Sequence, residues 1–187
     1  ADLFEIVGLS LSVSVTAVAI ACAIGMTLGA VVAVTRFPCR GAIIVLFNAL
    51  MGLPPVVVGL AVYLMLSRAG PLGVLGLLYT PTAMIIAQTI LVTPVVAALT
   101  RQVVEDLHRE YDEALKSLGV RGLGLVCTLL WDARYSLITV ALAGFGRAVA
   151  EVGAVIIVGG NIDHLTRMMT SLLYTSPSPR DCRLSRM

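Results

Sequence analysis

The sequence predicts an all-α membrane protein with four membrane-spanning segments. Of its 187 residues, 58% are hydrophobic and only 13% are charged, whereas a soluble domain is about 25% charged. Long runs carry no charge at all, the first from Ile6 to Val34. As helices, such runs are long enough to cross the hydrocarbon core of a bilayer. The charged residues lie mainly between the runs, as expected of the connecting loops.

The first predicted span is 6–34, which is long enough to cross with some tilt. Gly25 and Gly29 form a small-x-x-x-small pattern, which permits close approach of a second helix. Arg36 and Arg40 follow in a short basic turn, which the positive-inside rule places in the cytoplasm. The first span therefore runs from outside to inside.

The second predicted span, 42–66, contains two consecutive prolines, Pro54 and Pro55. Each removes a backbone donor and clashes with the preceding turn, so we expect a kink or a break there. Broken backbone at membrane depth is tolerated only inside protein or beside a wet cavity. The pair is either part of the wall of a translocation path or a purely structural kink, and the sequence leaves both open.

A loop with little charge, 67–80, precedes the third predicted span, 81–100, and we place it outside. Pro81 suits the first turn of that helix. Gln88 and Thr93 interrupt its apolar surface. They either face a path or form hydrogen bonds between helices.

The stretch Arg101–Gly119 is the one long charged run, and we predict a water-exposed amphipathic helix there, between apolar segments. Its apolar residues recur every three or four positions. Glu105–Arg109 and Asp112–Lys116 are acid-first pairs with i,i+4 spacing. The loop 101–134 is the richest in Lys and Arg, so it is predicted to be cytoplasmic, with a surface elbow at 125–131. The helix is either a docking element for a soluble partner or an ordinary solvated helix.

The fourth predicted span, 137–158, carries two charges near its middle, Arg147 and Glu151. Such charges are costly in a membrane, so they must face the interior of the bundle. Their i,i+4 spacing predicts that they neutralise each other on one helix face. Arg147 either attracts or gates an anion, or forms a structural ion pair. We favour the ion pair, because a paired arginine presents little net charge.

No cofactor or metal is predicted for this chain, and no nucleic-acid partner. The four cysteines lack metal-ligand spacing, and His164 in the outer segment 159–170 has no partner cluster. The net charge of +2 comes from the tail, so the spans present no basic patch. That tail, 171–187, contains LLYTSPSPRD, which resembles translated sequencing-adapter read-through. We expect it to be non-native or disordered, and the transmembrane domain to be 1–170.

The loop also carries a family signature. Glu113 and Ala114, with Gly119 six residues after Glu113, resemble the EAA-x3-G loop of ABC importer permeases, with Leu115 at the second alanine position. In that family the loop forms the coupling helix, which seats in a groove of the ATPase subunit. The resemblance implies that Glu113, Ala114, Leu115 and Gly119 contact an ATPase.

Longer stretches are similar to one branch of that family, the tungstate-type permeases, which are related to the molybdate and sulfate ones. They are the loop itself, GLPPVVVGLAVYLMLSRAGPLGVLGLLYTPTAMIIAQ at Gly52–Gln88, and GFGRAVAEVGAVIIVGGNIDHLTRMMT at Gly144–Thr170. The resemblance implies a type I importer transmembrane domain, whose further, fifth span is missing here or replaced by the tail. It also implies a permease homodimer in a bacterial or archaeal cytoplasmic membrane.

The partners implied are a cytoplasmic ABC ATPase dimer and an external substrate-binding protein. ATP and Mg²⁺ belong to the ATPase, so this chain has no catalytic residue of its own. Asn161 and Thr166 fall at the outer mouth, where the binding protein docks. The resemblance also implies candidates for the translocation path or its gate, which are Pro54, Pro55, Gly144, Gly146, Arg147, Glu151 and Gly153.

Three alternatives remain beside a tungstate importer. One is a molybdate or sulfate permease of the same family. Another is a secondary transporter, which would need an inverted repeat or a titratable relay in the membrane. The last is a membrane anchor for a soluble partner, which would not need two prolines and two charges at mid-depth.

Overall fold

The computed structural model describes residues 2–35, 38–68, 70–73, 76–117, 123–151 and 153–160. All regular structure in these ranges is helical, as the sequence predicts. The helices are α1 (Asp2–Val34), α2 (Arg40–Met51), α3 (Pro55–Leu66), α4 (Pro81–Ser117), α5 (Leu123–Asp132), α6 (Arg134–Ala150) and α7 (Gly153–Gly159).

The longest helices, α1 and α4, lie side by side with their backbones in close contact. A Cβ atom on Gly29 would lie 2.4 Å from the carbonyl oxygen of Ala97, and one on Gly25 would lie 3.0 Å from that of Thr93. Only glycine permits this separation, so the predicted close approach is confirmed. The Thr89 hydroxyl also donates to the carbonyl of Ala17, at 3.5 Å.

These contacts advance in the same direction along both chains, so α1 and α4 are parallel. Two parallel neighbours require the chain to return between them, and α2 with α3 provides that return. The two helices are bent by 100°. Pro54 begins the new helix as its N-cap and Pro55 is its first residue. The predicted break at the prolines is confirmed.

The bundle contains two helices that are each long and apolar enough to cross a membrane, α1 and α4. Two bent pairs, α2 with α3 and α5 with α6, bring the number to as many as four within the described ranges. One end of the bundle contains Val34, the last residue of α1, and Arg101 of α4. We call it the basic end. The positive-inside rule predicts that this end faces the cytoplasm.

The predicted third span, 81–100, and the predicted amphipathic helix, 101–119, are joined in one continuous helix, and the membrane boundary near Thr100 stays a prediction. The structure has one helix of 37 residues, from Pro81 to Ser117, and Pro94 lies inside it without ending it. No residue between Thr100 and Val104 breaks the helical pattern, and both are fully buried against neighbouring helices. Packing therefore continues across the change from apolar to charged sequence.

The helix over the predicted fourth span, 137–158, is interrupted, and the span itself stays a prediction. Helix α6 ends at Ala150, and Glu151 follows in an extended conformation before α7 begins. Gly144 of α6 packs on Val96 of α4, and Gln88 of α4 binds Ala148 of α6. These contacts run in opposite directions, so α6 is antiparallel to α4, in agreement with an inside-to-outside fourth span.

Candidate functional site

The break between α6 and α7 is a buried polar site within the bundle. Glu151 is only 7% exposed, and its Oε1 accepts a hydrogen bond from the backbone N–H of Ala154, at 3.4 Å. That N–H belongs to the first turn of α7, where helical N–H groups lack partners. The carboxylate therefore stabilises the start of α7 at the cost of being buried.

Gln88 binds the end of α6, on the N-terminal side of the same break. Its side chain is fully buried, and Nε2 donates to the carbonyl of Ala148, at 3.2 Å. That carbonyl lies in the last turn of α6 and also accepts the backbone N–H of Glu151, at 3.3 Å. Of the two roles left open for Gln88, the structure assigns the interhelical hydrogen bond. The Oε1 of the same amide is buried without a partner in the described part of the chain.

The predicted pair of Arg147 with Glu151 does not form. No salt bridge within 4.0 Å joins them, and Glu151 lies outside α6, so the i,i+4 geometry on which the prediction depends is absent. Instead the Nε of Arg147 is buried without a hydrogen-bond partner among the described residues. Arg147 thus has an unused donor and Gln88 an unused acceptor among the described residues.

The two breaks are linked through the helices that follow them. A Cβ atom on Gly59 of α3 would lie 2.6 Å from the Cα of Ala154 in α7. Helix α3 begins at the Pro54–Pro55 break and α7 begins just after Glu151. The segments on the far side of both breaks therefore form one packed pair.

The glycine candidates differ in their surroundings. Gly144 is buried against the side chains of Val92 and Val96, so it serves helix packing. Gly146 has open space where a side chain would project. Gly153 is the first residue of α7.

The candidates for contact with an ATPase or a binding protein lie mostly beyond what the structure describes. Glu113, Ala114 and Leu115 are in the last turns of α4, and their side chains are not described. Gly119 is outside the described residues, and so are Asn161, Thr166 and His164. Their roles stay predictions.

The apolar stripe of the charged run is partly covered by this chain itself. Val104 is fully buried in a cluster with Ala30 of α1 and Leu129 of α5, and Leu107 packs against that cluster. This half of the stripe is therefore not free to dock on a soluble partner. Tyr111, the next residue of the stripe, has an exposed side chain.

A charge cluster surrounds Glu105 at the basic end. Its carboxylate binds Arg109 at 2.9 Å, which confirms the predicted pair, and also Arg101 and Arg40. Arg40 is 65 positions away in sequence, so no local pattern indicates its contact.

Comparison with known proteins identifies the family. Residues 25–179 match the family described as binding-protein-dependent transport system inner membrane component. The chain belongs to this family. The match covers most of the sequence and extends beyond residue 170, the predicted end of the transmembrane domain, and that boundary stays a prediction.

Individual permeases match at similar identity. A probable anion ABC transporter permease of Haloferax volcanii is 41% identical over 160 residues, 86% of this chain and 69% of that protein. The tungstate uptake permease TupB of Peptoclostridium acidaminophilum is 41% identical over 169 residues, 90% of this chain and 74% of the relative. TupB of Campylobacter jejuni is 38% identical, over 74% of this chain and 58% of the relative.

The predicted relationship to tungstate-type ABC permeases is confirmed. Permeases named for sulfate and molybdenum transport also match, at 27 to 30% identity. The chain is thus a multi-pass membrane protein of the ABC importer permease family, and its relatives are transport subunits.

Proposed function

We propose that this permease is the membrane-spanning subunit of an ATP-driven importer for tungstate. It passes the oxyanion from an external binding protein to the cytoplasm, while a separate ATPase hydrolyses ATP. The observation that carries the proposal is the 41% identity, over 90% of this chain, to a tungstate uptake permease.

The buried break supplies chemistry that suits an anion. The Nε of Arg147 has no hydrogen-bond partner among the described residues, and Arg147 and Glu151 lie at the end of α6, just before α7 begins. A guanidinium in a low-dielectric setting attracts an oxyanion strongly, and the absence of a direct carboxylate contact leaves it free to do so. Arg147 would bind the passing anion, and Glu151 would hold the break open.

The remaining roles follow the family resemblance. Glu113, Ala114, Leu115 and Gly119 form the seat for the ATPase, and Asn161 and Thr166 lie where the binding protein docks. Pro54, Pro55 and the glycines of α6 and α7 shape the path. A second copy of the permease completes it.

A molybdate or sulfate importer is the second candidate, because permeases with those names also match. Measurements with the complete transporter separate these substrates. The permease is reconstituted with its ATPase and binding protein, and ATP hydrolysis is measured with tungstate, molybdate or sulfate. We expect tungstate to stimulate hydrolysis most.

If molybdate or sulfate stimulates ATP hydrolysis more than tungstate does, that anion, and not tungstate, is the substrate. Anion uptake that needs no ATP would overturn the importer proposal in favour of a secondary transporter.

We predict that Gly119→Asp abolishes ATP-driven uptake while the permease still inserts in the membrane. The substitution adds a charge at the ATPase seat and removes the residue best suited to end the helix. Uptake into vesicles and the amount of inserted permease are measured in parallel.

Gly41→Asp is the matched control for this variant. A side chain at Gly41 meets nothing within 4 Å, and an acidic residue in the first turn of α2 suits the helix dipole. Normal uptake by Gly119→Asp would remove the coupling assignment.

A further inference from the structure

The charge cluster around Glu105 contains more positive charge than its carboxylate can balance. Arg40, Arg101 and Arg109 face one carboxylate, which leaves a surplus of two positive charges. The acidic neighbours Asp106 and Glu110 are exposed and make no salt bridge among the described residues. A surplus of this kind at one place attracts an anion.

A small cavity lies beside this surplus. Its volume is about 100 Å³, and it is lined by Ala33, Val34, Arg40, Glu105, His108 and Arg109. One water occupies about 30 Å³ in the liquid. The cavity therefore holds a group of a few heavy atoms, such as one tetrahedral oxyanion, and is too small for a nucleotide.

The walls of the cavity are preorganised on one side and adaptable on the other. Arg40 is held in place because its Nε donates to the carbonyl of Val32, at 2.9 Å, and its Nη2 donates to that of Ala33, at 3.3 Å. Its guanidinium thereby satisfies the C-terminal carbonyls of α1. Arg109 has a side chain that is 73% exposed, so it can turn toward a ligand from solvent.

His108 completes the lining with an unused polar atom. Its Nδ1 is buried and has no hydrogen-bond partner in the described part of the chain. A buried polar atom without a partner costs free energy, so such an atom in a cavity wall indicates a missing ligand. Planar guanidinium groups and imidazole N–H groups are the donors that oxyanions prefer in proteins.

We propose that this cavity at the basic end binds a tetrahedral oxyanion group, held by Arg40, His108 and Arg109. The cavity lies beyond the apolar part of α4, where α1 ends, at the level of the membrane surface. The group is therefore either the phosphate of an anionic lipid or a free inorganic oxyanion. The site is separate from the path at Arg147, and its existence does not depend on the proposed transport function.

Direct binding to the purified full chain tests the proposal. The permease is held in nanodiscs of phosphatidylcholine, and inorganic phosphate and tungstate are titrated by calorimetry. Phosphatidylglycerol is titrated separately into detergent-solubilised permease and counted by native mass spectrometry. We expect Arg109→Gln to lower the affinity for the anion about tenfold, because it removes one charge-assisted hydrogen bond.

Two further variants make the result specific. Arg134→Gln removes the same charge at an exposed position on the elbow, where the guanidinium stacks on Trp131 and Tyr135, so it should leave binding unchanged. His108→Phe fills the same space without the unused nitrogen, so it should weaken binding without lowering the unfolding temperature of the anion-free protein.

Each outcome decides the proposal. Binding of phosphatidylglycerol alone, weakened by Arg109→Gln, identifies a lipid headgroup. Binding of phosphate or tungstate that Arg109→Gln weakens identifies a free oxyanion in this cavity rather than at Arg147. The proposal is overturned if phosphate and tungstate show no binding and phosphatidylglycerol binds no more tightly than phosphatidylcholine. It is equally overturned if Arg134→Gln weakens binding as much as Arg109→Gln.

Discussion

We expect Gly29→Leu to prevent α1 and α4 from packing and so to remove most of the folded permease. A Cβ atom at this position would lie 2.4 Å from the carbonyl oxygen of Ala97 and 3.0 Å from the backbone nitrogen of Arg101. Both are backbone atoms, which cannot rotate away as a side chain can. Overpacking costs about 1–3 kcal/mol even where side chains adjust, and here two whole helices must separate.

The measurement is the fraction of permease that elutes as a single species in gel filtration, together with its unfolding temperature. Gly8→Leu is the matched control, because it is the same substitution on the same helix where a side chain meets nothing within 4 Å. The control should behave as the parent protein does. Equal losses in both variants, or none in either, would mean that α1 and α4 do not pack through Gly29.

Features that depend on a few consecutive residues could be predicted from the sequence. The helix break at Pro54–Pro55 follows from the geometry of proline itself. The contact of Gly25 and Gly29 with α4 follows from their spacing on one helix face. The pair Glu105–Arg109 follows in the same way from i,i+4 spacing. In each case the cause lies within one turn of helix.

Features that depend on distant residues could not be predicted. Glu151 ends α6 with no proline beside it. Its carboxylate binds the Ala154 N–H, and the Ala148 carbonyl accepts both the Glu151 N–H and the side chain of Gln88. Gln88 lies 60 positions from its acceptor, and only the fold brings them together. The continuity of α4 past Thr100 has a similar cause, since buried contacts with α1 and α5 support the helix where its sequence becomes charged.

Arg147→Gln is expected to reduce anion uptake by about tenfold or more, while the amount of inserted permease stays close to that of the parent. The Nε of Arg147 is buried without a partner, so the substitution breaks no hydrogen bond in the described part of the protein. If Arg147 binds the passing oxyanion, the variant loses a charge-assisted hydrogen bond worth about 1.5–3 kcal/mol. That loss corresponds to roughly ten- to a hundredfold in affinity.

Glu151→Gln is the informative comparison, because glutamine keeps an oxygen that can accept the N–H of Ala154 and removes only the charge. In the gating interpretation Arg147 keeps its positive charge in this variant, so uptake should persist and the anion should bind at least as tightly. In the structural interpretation both variants would reduce insertion and uptake together. Uptake per inserted permease therefore separates the two roles, and an unchanged value for Arg147→Gln would remove Arg147 from the path.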